Sequence, residues 1–240
     1  MNTEIIAHPT LQHVGIMTPN LDAMLEWYRK VLGMTVNKRV NVPADRAPFT
    51  AVAFTSNDEI NHRVSFFEAP HATIDSERSR HARVQHIAFA YGTLDDLLGT
   101  YVRLARLGMT PMWAADQWFQ TAIYYEDPDK NIIELNVDNF NNLWAVTEGL
   151  KELPPQLHVF IDPEKLIAAR KAGASGGGDN GALHPCRCFG KRLSSFGPSR
   201  RVLRGRTLRR RRARERPKAK PPPCAPRSAF RVDEYVQLRG

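Results

Sequence analysis

The sequence predicts an α+β fold of two paired βαβββ modules forming a curved, partly open mixed sheet, with a disordered basic C-terminal tail. Three observations predict it: a strand-helix pattern that occurs twice, three strand-like segments after each copy, and a sharp change of composition near residue 174. The expected organisation is one domain over 1–174, with modules at about 8–70 and 82–140 and a helical extension over 141–174. The tail then covers 175–240.

The repeat emerges when LQHVGIMTPNLDAMLEWYRKVLGM (11–34) is set above VQHIAFAYGTLDDLLGTYVRLARLGM (84–109). His13 falls on His86, Asn20 on Thr93, Leu21 on Leu94, Leu25 on Leu98 and Tyr28 on Tyr101, at an offset of 73 residues. The closing LGM is offset by 75, so the second helix is expected to be about two residues longer. A repeat of this length is a duplicated module, not a solenoid unit.

Within each copy a strand is followed by a helix, because Leu21, Met24, Leu25, Tyr28 and Leu32 recur at helical spacing, as do Leu94, Leu97, Leu98, Tyr101 and Leu104. Asn20 and Thr93 suit the N-caps, and Gly33 and Gly108 suit the left-handed residue that ends a helix. Strand-like segments follow at 34–41, 49–56 and 61–69, and again at 110–114, 120–126 and 131–137. Between the last two lies the turn DPDKN.

Charge divides the chain. Residues 171–240 hold 19 of the 34 Lys+Arg and 4 of the 25 Asp+Glu, a net of +15, which leaves the first 170 residues at −6. The overall +9 is therefore no sign of a nucleic-acid-binding core, and nucleic acid is expected only as a non-specific partner of the tail. Cys186, Cys188 and Cys224 all lie in the tail, so the body has no disulfide framework. With no long apolar run and no basic-apolar leader pattern at MNTEIIAHPT, no membrane association and a cytoplasmic location are expected. The Arg, Pro, Ala and Gly richness beyond Ser175 suits a reading frame shifted after the domain ends better than a selected tether.

Strand alternation then selects the residues that carry chemistry. His13 shares a face with Gly15 and Met17, and His86 with Ala88 and Ala90, whereas Val14, Ile16, Ile87 and Phe89 point the other way. Glu134 and Asn136 share a face opposite Ile133, Leu135 and Val137. One strand histidine is ordinarily a hydrogen-bonded core residue. Two at the same phase of a duplicated unit, with a carboxylate for charge compensation, point to a metal triad of His13, His86 and Glu134. Two imidazoles and one carboxylate leave coordination positions open, an arrangement that suits Fe(II) best, with Mn(II) second.

LQHVGIMTPNLDAMLEWYRKVLGM, NHRVSFF and YYEDPDKNIIELNVDNF, in that order, resemble the vicinal-oxygen-chelate superfamily of glyoxalases, bleomycin-resistance proteins and extradiol dioxygenases. Within it the chain is most similar to the single-domain biphenyl-2,3-diol and catechol ring-cleavage dioxygenases, over about residues 10–172. The resemblance implies Fe(II) as cofactor, an aromatic diol and O2 as substrates, and a homo-oligomer. It also implies that His62 is the acid/base and Tyr124 the donor to the bound diol oxygen.

Departures from the family pattern bear on this reading: in DPDKN, Lys130 stands where the family has a left-handed glycine, at a cost of about 1 kcal/mol. Gln117 stands where the family has a histidine behind the metal ligands, and a glutamine cannot take up a proton at neutral pH. Two alternatives stay open: a glyoxalase-like lyase or isomerase with Glu68 as an extra ligand, and a metal-independent small-molecule binding protein.

Overall fold

A computed structural model describes residues 8–140, 143–151 and 159–173. The first module is β1 (Val14–Thr18), α1 (Leu21–Leu32), β2 (Thr35–Asn41), β3 (Ala51–Ser56) and β4 (Val64–Glu68). A connector with a 3-10 turn at Arg78–Arg80 leads to the second, made of β5 (Ile87–Ala90), α2 (Leu94–Arg106), β6 (Trp113–Asp116), β7 (Gln120–Glu126) and β8 (Ile132–Asp138). Then come α3 (Leu143–Leu150), β9 (Val159–Phe160) and α4 (Pro163–Lys171).

Both βαβββ modules are therefore present, each with its own sheet, in the orders β1-β4-β3-β2 and β5-β8-β7-β6-β9. Each sheet is mixed. Its first and last module strands run parallel, β1 with β4 and β5 with β8, and the other pairs are antiparallel. β9 is an element that periodicity did not anticipate. The expected extension was helical, but Val159 and Phe160 pair with Asp116 and Ala115 and cover the β6 edge. Two residues are too short a run to show any period.

The caps act as their chemistry requires. Asn20 accepts from the N–H of Ala23 and Thr93 from that of Asp96, while Gly33 and Gly108 take φ of 67° and 76°. At 12 and 13 residues the helices differ by one rather than the expected two, because α1 ends directly on Gly33 and α2 on Leu107, a residue before its glycine.

The helices bury Leu21, Met24, Tyr28 and Val31 of α1 and Leu97, Leu98 and Leu104 of α2. Most of these join one cluster with Phe66 of β4 and Ile123, Ile133 and Leu135 of the second sheet, so the modules share a core. Each large side chain so buried contributes about 1.5–3 kcal/mol. Polar ties cross the same seam. The Tyr28 hydroxyl donates to Asp127 Oδ2 at 3.2 Å, and Arg103 donates to the carbonyls of Lys30 and Val31. Burial pushes the Asp127 carboxyl above the usual range, and hydrogen bonds from Asn131 and Tyr28 pull it back.

Opposite faces of β1 and β5 differ as alternation predicts. Ile16 is buried while Gly15 and Met17 are exposed, and Ala88 and Ala90 are more exposed than Ile87 and Phe89. β8 is buried on both faces as far as Val137. β2 is exposed along its whole length and bulges between Val36 and Lys38. Among the described residues no helix is long and apolar enough to cross a membrane. The basic segment 175–240, with the predicted tail boundary, lies outside the described residues.

Two backbone features yield stability predictions. Lys130 has φ of 67°, and its ammonium makes only an exposed contact with Glu126, worth little. Lys130→Gly should raise the unfolding free energy by about 1 kcal/mol in urea titrations. A Cβ on Gly149 would stand 2.5 Å from Trp118 Cη2, so Gly149→Ala should cost about 1–3 kcal/mol in the same measurement.

Candidate metal centre

The centre forms around one buried charge. Glu134 lies in β8 with 1% of its surface exposed, and a carboxylate so placed needs partners. His86, just before β5, brings Nε2 to 2.8 Å from Glu134 Oε2, because β5 runs parallel to β8 with Ala88 level with Glu134. The other oxygen, Oε1, accepts from Gln120 Nε2 at 2.5 Å and from Asn136 Nδ2 at 3.2 Å.

Tyr124 of β7 is directly opposite Glu134 and is 4% exposed. Its phenol oxygen accepts from Gln117 Nε2 at 2.7 Å. Burial, and then the charge of Glu134, push the Tyr124 pKa well above the ordinary phenol value, so this group stays a donor. Trp113 stacks on its ring at 4.8 Å, and His86 meets it edge-on at 6.1 Å.

His13 and His62 form a second group. Their rings are 4.2 Å apart, and His62 also meets Phe54 edge-on at 4.9 Å. His62 is half-buried beside the start of β4. Burial, then the neighbouring His13, lower its pKa. The repeat extends to the residue before each strand histidine: Gln12 Oε1 faces Nδ1 of His13, and Gln85 Oε1 faces Nδ1 of His86. An amide oxygen there holds the proton on Nδ1 and leaves Nε2 for another partner.

His86 and Glu134 fit two positions of a divalent metal. Donors that both bind at about 2.1 Å and at right angles stand about 3 Å apart, close to the 2.8 Å observed. His13 is not with them. Among the described residues no three of His, Cys, Asp and Glu are gathered so as to hold a metal ion. The physical reason is topological: β1 and β5 are edge strands of separate sheets, and no ladder joins the two edges. Glu68 is no nearer to His13. It lies level with Thr18, whereas Val64 is level with Val14, so the strand's length separates Glu68 from the His13 end. Its carboxylate accepts from Thr50 instead.

Gln120 was missed in the sequence, although its signal is there. It is the second glutamine of QWFQ, a two-residue loop with a glutamine on either side.

A family model described as Glyoxalase/Bleomycin resistance protein/Dioxygenase superfamily matches residues 10–135. Biphenyl-2,3-diol 1,2-dioxygenase 3 of Rhodococcus globerulus is 35% identical over 168 residues, which cover 69% of this chain and 84% of that protein. Biphenyl-2,3-diol 1,2-dioxygenase 2 of the same organism is 33% identical over 170 residues, covering 70% and 84%. A solved glyoxylase/bleomycin resistance protein/dioxygenase domain from Frankia sp. EAN1pec is 19% identical, with a TM-score of 0.47, covering 55% of this chain and 93% of that one.

The packing around Tyr124 is testable without any metal. Tyr124→Phe deprives the Gln117 amide, in a residue 5% exposed, of its acceptor. The variant should lose about 1–3 kcal/mol of stability in chemical denaturation. Unchanged stability would mean that the amide finds another partner.

Proposed function

The chain belongs to the Glyoxalase/Bleomycin resistance protein/Dioxygenase superfamily, and from that premise we propose that it is an extradiol dioxygenase, opening a catechol-type aromatic diol with Fe(II) and O2. Two relatives named as biphenyl-2,3-diol dioxygenases support the reaction class. The observation that carries it is the His86–Glu134 pair at 2.8 Å, with the carboxylate buried and the Tyr124 hydroxyl beside it.

Fe(II), or Mn(II) in its place, would be held by His86 and Glu134, with His13 assigned as third ligand by the family resemblance and not by the geometry described above, and would supply Lewis acidity and a path for electrons from the diol to O2. The chain's own residues do the rest. Exposed Ala88 and Ala90, on the face of β5 that His86 shares, leave room for an aromatic ring. Tyr124, held protonated, donates to the ionised oxygen of the diol, a charge-assisted bond worth about 1.5–3 kcal/mol. Gln120 and Asn136 keep Glu134 in place by hydrogen bonds to Oε1. The family resemblance assigns proton handling to His62, which stands against His13. The Glu68 arrangement of a lyase gains nothing from the strand register described above.

The decisive experiment is oxygen uptake by protein loaded anaerobically with Fe(II). About one O2 should be consumed per diol opened. His62→Phe should keep its iron and lose about 10²–10⁴-fold in turnover. By elemental analysis, His86→Ala and Glu134→Ala should each lose stoichiometric metal, and His13→Ala tests the third ligand in the same way. Full occupancy in the His86 or Glu134 variants would refute the centre. Failure of every diol from catechol to biphenyl-2,3-diol, alongside turnover of a thiol adduct of a ketoaldehyde with a non-redox metal, would refute the reaction.

A further inference from the structure

Gln117 and Gln120 flank the loop Trp118–Phe119, and the N–H of Gln117 closes it on the carbonyl of Gln120 at 2.9 Å. Residues so related across a hairpin are cross-strand partners whose side chains leave the sheet on one face. Along β7 that face continues through Ala122 to Tyr124, opposite Asn136 and Glu134. Ala122 is buried and offers only a methyl group, so the longer Gln120 side chain reaches past it to Glu134.

The polarity of four groups then follows. A carboxylate accepts, so Gln120 presents Nε2 to Glu134 Oε1. The second hydrogen of that NH2 goes to Gln117 Oε1, at 2.8 Å. With its oxygen engaged, Gln117 turns Nε2 toward the phenol oxygen of Tyr124, at 2.7 Å. The phenol oxygen accepts there, which leaves its own proton for a partner other than Gln117. Neither amide can turn over without setting oxygen against oxygen or NH2 against NH2.

We propose that Gln120 is a positioning residue: it holds the Gln117 amide in one orientation and thereby keeps Tyr124 a hydrogen-bond donor to the anionic oxygen of the bound diol. This role rests on the diol chemistry proposed above. It also gives Gln117 a use of its own. A histidine at that position could change its polarity by taking up a proton, whereas a pair of glutamines keeps the same polarity throughout the working pH range.

The test combines kinetics with side-chain amide exchange. Gln120→Met, similar in length and without donors, should lower kcat about 10-fold in iron-saturated protein with KM little changed, the size expected for one lost hydrogen bond. Gln120→Lys donates to both Glu134 and Gln117 and should recover most of that loss. In a Tyr124→Phe background Gln120→Met should cost less than about 2-fold, because the group it orients is gone. A full 10-fold loss in that background would overturn the proposal and leave Gln120 a structural residue. Independently of turnover, the Gln117 side-chain NH2 should exchange slowly in 15N–1H spectra of the wild type. Protection that disappears in Gln120→Met and returns in Gln120→Lys supports the relay, and protection indifferent to Gln120→Met overturns it. A wild type that opens no diol counts against the proposed reaction, and the amide signals then decide the orientation of Gln117 alone.

Discussion

The burial of Glu134 is the constraint on which the second module turns. A carboxylate with 1% of its surface exposed is tolerable only where polar partners surround it, and the sheet supplies them from three strands. His86 approaches along parallel β5, Tyr124 sits opposite on β7, and Gln120 and Asn136 take the remaining oxygen. The small residues nearby follow from the same requirement. Ala122 lets Gln120 through, and Ala88 and Ala90 keep the His86 face clear. The charge therefore selects its neighbours both by what they donate and by what they leave open.

The two modules are alike in chain path and unlike in what they do with it. Each has a histidine before its first strand, preceded by a glutamine whose oxygen faces Nδ1. In the second module that histidine meets a carboxylate, and in the first it meets another histidine. The difference lies in the last strand, where β8 carries Glu134 and β4 carries Ser65 and Phe67 around the corresponding level.

Much of this was legible in the sequence, for reasons that can be named. Asn20, Gly33, Thr93 and Gly108 announce helix ends because their chemistry is local, whereas the left-handed Lys130 was legible only through the glycine the family has there. The inward direction of Glu134 follows from strand alternation. What strand alternation does not contain is how one sheet meets another. His13 and His86 share a phase of the repeat, yet their strands are edges of separate sheets, and that depends on the packing of α1, α2 and the Asp127 turn in the shared core. Gln120 was overlooked because a glutamine beside a hairpin loop is ordinarily solvated. The left-handed φ of 70° at Trp118 was not legible because that conformation is expected of glycine, not of a residue whose indole packs on Phe140.

The bulge in β2 bears on a hazard that duplication brings. A module copied within one chain multiplies unpaired sheet edges, and each edge is a template on which another chain could grow a ladder. In the second sheet β9 occupies one edge. Among the described residues the first has no such strand on β2, but the ladder slips between Val36 and Lys38, and Lys38 and Arg39 follow directly. A strand arriving from outside would lose register at the slip and meet the charge of Lys38 just beyond it, while Arg39 is tied to Asp22, so the slip itself makes this edge a poor template.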